Sequence, residues 1–327
     1  MEDLDSLLPK LTAKGANVVP GVVLSAVTKD GKSLYSKASG YVSPDPSAAD
    51  ISFENTFSLA SCTKLVITIA ALQCVERGQI ALDDEVMNLL PELVTLEVMS
   101  PNQGPDTVDN QFLFRPRTNP ITLRHFLTHT SGLDYDAMNP NLRMWRASRG
   151  ELPTCFAGGS KETLLYSLLQ EPGESSPTGL THIFEPLGMT STTFHLDVWD
   201  NVKKRLVSMS TRDPDGTVIP TQQILPGKVA EELGGAGLYS TVGDYKAMLV
   251  DLMQEEPTLL KKETDAAEVG LKKGTLFWGG AGNLSWFMNQ ERCVAGFYAS
   301  QLLTFVPDTI TGQLNLAFQR KISKLMG

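Results

Sequence analysis

No run of apolar residues in this 327-residue chain reaches the ~18 that a membrane-crossing helix requires, so no helical span is expected. Basic residues are in deficit: 28 lysines and arginines face 37 aspartates and glutamates, a formal charge of -9, and no Lys/Arg cluster breaks that balance. Nucleic acid and anionic membranes therefore have no electrostatic reason to bind. The opening residues Met1-Glu2-Asp3-Leu4-Asp5 are acidic where a signal peptide needs a basic start, which leads us to expect a soluble, cytoplasmic protein. Cysteine is sparse. Cys62, Cys74, Cys155 and Cys293 lie far apart, with no C-x-x-C pair and no histidine at zinc-finger spacing, so reduced thiols are expected rather than bridges or a metal site. Nothing implies a cofactor: Gly234-Gly235-Ala236-Gly237-Leu238 is not a G-x-x-x-x-G-K-[ST] phosphate loop, and Glu231-Glu232 beside it would repel phosphate. A G-x-S-x-G elbow is absent too, as is any internal repeat.

What remains is an ordinary globular composition, 42% hydrophobic and 20% charged, in a chain long enough for two domains or one large one. Leu4, Leu7, Leu8 and Leu11 recur at helical spacing and predict a short amphipathic helix. Two strand-like runs, 21–27 and 33–36, flank the Asp-Gly turn of Lys29-Asp30-Gly31-Lys32, a β-hairpin signal. From Cys62 to Arg77 there is neither Gly nor Pro, and apolar residues cover most of the helix circumference, which predicts a central buried helix capped at Gly78. The middle of the chain reads as helical, with one helix over 161–169 and another starting at the capping pattern Thr241-Val242-Gly243-Asp244. In the last third, strand-like runs at 275–278, 284–288 and 293–299 precede a helical pattern over 313–326. Strands at both ends and helices between them predict an α/β fold. An antiparallel sheet of at least five strands, flanked by helices, would form from 1–95 and 236–327, with a mostly helical inserted domain over 96–235.

Chemistry concentrates at Phe57-Ser58-Leu59-Ala60-Ser61-Cys62-Thr63-Lys64, which holds the chain's only S-x-x-K. Ser61 and Lys64 stand one helical turn apart on one face. Burial at the head of an apolar helix would lower the lysine pKa and let Lys64 take a proton from Ser61. Cys62 we read as a buried filler rather than a nucleophile. His129 and Ser131, in Leu127-Thr128-His129-Thr130-Ser131-Gly132-Leu133, invite a triad reading, but we expect them to brace a loop.

That first motif, the His129 segment, Glu185-Pro186-Leu187-Gly188-Met189 and Gly235-Ala236-Gly237-Leu238-Tyr239-Ser240-Thr241 occur in the order found in serine β-lactamase-like proteins. The chain resembles the superfamily of class C β-lactamases and family VIII esterases. Phe277-Trp278-Gly279-Gly280-Ala281-Gly282-Asn283-Leu284-Ser285-Trp286 and Tyr298-Ala299-Ser300-Gln301-Leu302-Leu303 look most like fungal polyketide acyltransferases of the lovastatin type. The resemblance implies a β-lactamase/transpeptidase-like fold and a serine-dependent acyltransferase or esterase of secondary metabolism. Its implied roles are Ser61 as nucleophile, Lys64 as base, the backbone amides of Ser61 and Ala281 as oxyanion donors, and Trp278, Gly279 and Gly280 as substrate pocket. Trp278 stands where penicillin-recognising relatives carry the lysine of Lys-Thr-Gly, which disfavours β-lactamase activity. The implied partners are a small-molecule acyl donor, with an acyl-carrier protein as a candidate, and an alcohol or water acceptor.

One departure bears on activity. Relatives carry a catalytic tyrosine and a helix between the equivalents of Glu171-Pro172-Gly173 and the Pro-Leu-Gly-Met block. Here Glu174-Ser175-Ser176-Pro177-Thr178-Gly179-Leu180-Thr181-His182 joins the two, with no tyrosine. A second shortening is expected between Leu260 and Lys273. Tyr166 and Tyr135 are the candidate substitutes. The alternative is a catalytically impaired relative that binds a ligand or partner.

Overall fold

The structure, a computed structural model, describes residues 3–102, 112–135, 139–151, 180–224, 232–261, 274–303 and 308–327. The helix expected over 161–169 and Cys155 lie outside them. The chain divides into two compact units, Met1–Gln73 with Tyr166–Gly327, and Cys74–Leu165.

In the first unit, helix α1 (Leu4–Leu11) starts on the Asp3 carboxylate, which accepts the Asp5 N–H, and buries Leu4 and Leu8. Strands β1 (Gly21–Thr28) and β2 (Ser33–Gly40) form the hairpin announced by the Asp-Gly turn. Their burial differs as their sequences do: β1 is mostly apolar on both faces and buried from Gly21 to Val27, whereas the Ser- and Lys-bearing β2 is partly exposed. The short strand β3 (Thr56–Ser58) leads to α2 (Thr63–Glu76).

The second unit holds the antiparallel pair β4 (Val98–Pro101) and β5 (Phe112–Arg115), and helices α3 (Leu123–Leu127) and α4 (Pro140–Ser148). Thr122 and His125 close a capping box at the start of α3. His129 has a left-handed φ of 56° and donates its N–H to the Phe126 carbonyl, and the Ser131 hydroxyl accepts the Leu133 N–H. These histidines and serine organise the backbone of their own loop.

Back in the first unit come α5 (Asp200–Lys203), the pair β6 (Ser210–Arg212) and β7 (Val218–Pro220), strand β8 (Tyr239–Thr241) and α6 (Val242–Leu252). Helix α6 is capped by Thr241, whose side chain accepts the Asp244 N–H as its sequence spacing predicts. Strands β9 (Leu276–Gly280), β10 (Leu284–Asn289) and β11 (Val294–Ala299) precede α7 (Thr309–Leu325).

The main sheet has the order β2-β1-β11-β10-β9, antiparallel throughout. Alternation gives it two faces. Val22, Leu24, Ala26, Phe287 and Tyr298 meet α1 and α7 through Leu4, Leu8, Leu314, Phe318 and Ile322. The opposite face carries Phe297, on which the Tyr245 ring of α6 stacks at 4.6 Å. Five strands flanked by helices match the architecture expected from the sequence. Among the described residues no helix is long and apolar enough to cross a membrane.

Candidate active site

Ser61 lies in a tight 3₁₀ turn, Ala60–Cys62, between β3 and α2. The sequence pattern places the start of the helix at Cys62; the α-helical geometry begins at Thr63, and the tighter turn ahead of it presents Ser61. Ala60 has a φ of 45°, a conformation that costs a non-glycine residue about 1–3 kcal/mol and persists only where surroundings enforce it. Here the surroundings do so: Leu59, Ala60 and Cys62 are buried while Ser61 stays partly exposed.

Neighbouring segments hold this turn at each end. The Leu59 N–H donates to the Leu238 carbonyl at 2.9 Å, and the Leu238 N–H returns to Thr63 Oγ1 at 3.2 Å. Tyr245 donates its phenol to the Cys62 carbonyl at 2.8 Å. The Gln301 side chain pairs with Ser58 in both directions, at 3.1 Å each. From the other side, β9 ends against the turn: a Cβ on Gly280 would sit inside contact distance of the Leu59 carbonyl oxygen, so only glycine allows this approach.

Lys64 reaches back along α2. Its Nζ lies 3.0 Å from Ser61 Oγ and 2.7 Å from the Gly235 carbonyl. Burial disfavours the ammonium and lowers the lysine pKa to about 8. A neutral amine keeps two N–H groups and gains a lone pair, so it can donate to Gly235 while accepting from the serine hydroxyl. Cys62, beside Ser61, is fully buried and its thiol pKa is pushed up by desolvation, which makes it inert. The phenols of Tyr245 and Tyr298 are raised by burial, and that of Tyr239 is pushed up by burial to about 12. None of the three is poised as a base near neutral pH.

On β9, Trp278 and Gly280 share the sheet face of Trp286 and Phe297, and Trp278 is 41% exposed there. Gly279 points to the opposite face, and Ala281 is the first residue of the turn into β10, partly exposed. The structure thus brings Ser61, Lys64 and the end of β9 together. Tyr135 belongs to the other unit, and Tyr166 lies outside the described residues. Among the described residues, Ser61 Oγ is hydrogen-bonded to Lys64 Nζ.

Gly235 and Gln301 carry roles that their sequence motifs did not reveal. Both stand in blocks that mark the resemblance. What they contribute, a carbonyl and a side-chain amide, is defined only by a partner far away in the chain.

The chain is similar over nearly its whole length to acyl-transferring proteins. Acyltransferase calJ of Penicillium decumbens is 27% identical over 409 aligned residues, covering 96% of each chain. That alignment is longer than this chain, so calJ contains internal segments that this chain does not. Lovastatin esterase of Penicillium rubens is 27% identical over 383 residues, covering 93% of this chain and 94% of that protein. In three dimensions, the LovD6 mutant of simvastatin synthase from Aspergillus terreus superposes with a TM-score of 0.81 at 24% identity, covering 99% of this chain and 94% of that one. The family model described as Beta-lactamase matches residues 7–317, and the chain therefore belongs to the beta-lactamase family.

Proposed function

We propose that this protein is a serine-dependent acyl-transfer enzyme working through an acyl-Ser61 intermediate. One observation carries the reading: an amine brought by burial to a pKa of about 8 lies 3.0 Å from a partly exposed serine hydroxyl. Ser61 Oγ attacks the carbonyl of an ester or thioester while Lys64 takes its proton. The Oγ–acyl bond forms, the bond from the acyl carbon to the donor oxygen or sulfur breaks, and the proton passes from Nζ to that leaving group. Backbone amides of Ser61 and Ala281 receive the developing oxyanion. An alcohol or water then attacks the acyl-enzyme, releasing a new ester or an acid and restoring the serine.

Trp278 and Gly280, with the strand backbone at Gly279 between them, form the wall of the substrate pocket, with an indole where a carboxylate-binding cation would serve β-lactams. The donor is a small-molecule ester or thioester, and an acyl-carrier-protein thioester falls in the same chemical class. The acceptor is a secondary-metabolite alcohol or water. Relatives named as an acyltransferase and as an esterase support both outcomes. The partition between them depends on how well the pocket excludes water.

Incubation with a fluorophosphonate and with a p-nitrophenyl ester, from neutral to mildly alkaline pH, tests the reading. The expected result is an adduct on the Ser61 peptide by mass spectrometry, with turnover lost in Ser61→Ala. No adduct and no turnover at any pH in that range would remove it. A cleft that binds without turnover, the reading motivated by the absent tyrosine-bearing segment, would then stand.

A further inference from the structure

We infer that Gln301 is a positioning residue that sets the spacing between the two oxyanion donors, a role that rests on the acyl-Ser61 reading above. Its side chain is 3% exposed and lies 243 residues from its main partner in sequence. Oε1 accepts the Ser58 N–H at 3.1 Å, and Nε2 donates to the Ser58 carbonyl at 3.1 Å and to the Ser300 carbonyl at 2.8 Å. This is the two-way bonding of a neighbouring strand, supplied by one amide group. The orientation of the amide is fixed by chemistry, because a flipped group would set its NH₂ against the Ser58 N–H and its oxygen against two carbonyls.

Ser58 is three residues from Ser61, at the base of the turn that supplies one donor. The other donor, Ala281, precedes Gly282, and Gln301 touches that side as well. A Cβ on Gly282 would lie 2.9 Å from Gln301 Nε2, so the β9–β10 turn rests directly on the amide. One buried side chain therefore contacts both halves of the oxyanion site, hydrogen-bonded to one and packed against the other. Its backbone is fixed in turn, since the Gln301 carbonyl accepts the Ser210 N–H at 2.8 Å. If the amide is lost, each half keeps its own fold and the distance between the donors is no longer set.

The test compares wild type with Gln301→Met, which keeps the length and loses both bonds, and Gln301→Glu, which keeps the shape. Acylation of Ser61 by a fluorophosphonate or p-nitrophenyl ester is measured per folded molecule, with folding checked by circular dichroism. Gln301→Met should slow acylation about 10- to 100-fold, the scale expected when reacting groups are misplaced by a fraction of an ångström to an ångström. KM should stay within about twofold, because ground-state binding is untouched. For Gln301→Glu, the neutral acid can donate to the Ser58 carbonyl and the carboxylate cannot, so its rate relative to wild type should fall as pH rises. A residue that merely fills space gives a flat ratio. Acylation by Gln301→Met within about twofold of wild type, with a flat Gln301→Glu ratio, would overturn the inference. Should Gln301→Met fail to fold, the Gln301→Glu ratio decides alone. An unlabelled Ser61 in the wild type sinks the acyl-enzyme reading and this inference together; a labelled one with unaffected variants sinks only this inference.

Discussion

A general base works best when its pKa lies near the ambient pH, and burial gives Lys64 that property for the proposed mechanism. Desolvation lowers the amine from its ordinary 10.5 to about 8, outweighing the opposing influence of the neighbouring Cys62. The acylation step needs the free amine, so its rate should rise with pH through a midpoint near 8 and then level off. Stopped-flow acylation of Ser61 by an activated ester reads this directly, and a profile flat across that midpoint would exclude Lys64 as the base. The same residue illustrates what a sequence can and cannot say. The Ser61–Lys64 spacing and the apolar run behind it were legible because both are local properties of a helix. Its second anchor, the Gly235 carbonyl, lies 171 residues away in a glycine cluster that no local pattern ties to Lys64.

Among the elements, β9 is the one whose position the proposed chemistry depends on. Its last residue, Gly280, touches the backbone of the Ser61 turn where no side chain fits. Gly280→Ala should therefore push the strand away from the turn. We expect acylation to fall by at least about 10-fold, with a stability loss of about 1–3 kcal/mol typical of overpacking, measured by denaturant unfolding beside active-site titration. An enzyme as fast and as stable as wild type would show that the contact carries no weight. The long elements of this sheet were readable from the chain. The β1–β2 hairpin has its Asp-Gly turn, α2 is a run without Gly or Pro that is apolar around most of its circumference, and α7 has apolar residues at helical period. The three-residue strands β3 and β8 were not, because nothing in three residues distinguishes a strand; they are defined by long-range pairing with each other and, at Thr56 and Tyr239, with Leu206 and Thr193. The 3₁₀ turn escaped for a related reason, since contacts from β9 and α6 enforce it against local preference.

At the scale of the molecule, the first unit is closed by its two ends. Helices α1 and α7 share one core beneath the sheet, and Lys321 of α7 reaches Asp3 and Asp5 at the start of α1. Phe318 anchors that core, fully buried with its ring 6.0 Å from Tyr35 and 5.9 Å from Phe287. Phe318→Ala should cost about 3–5 kcal/mol, read as a lower denaturation midpoint, while the rate per folded molecule stays unchanged because the lesion is on the face away from Ser61. A loss of rate without a loss of stability would contradict that separation of roles. Closure of this kind also has a consequence for biosynthesis. β1 pairs with β11, and the Ser61 turn is completed by β9 and Gln301, so the hydroxyl emerges from the ribosome long before the strands that position it. The turn that presents Ser61 can take its final place only once β9, β11 and Gln301 have been synthesised and folded against it.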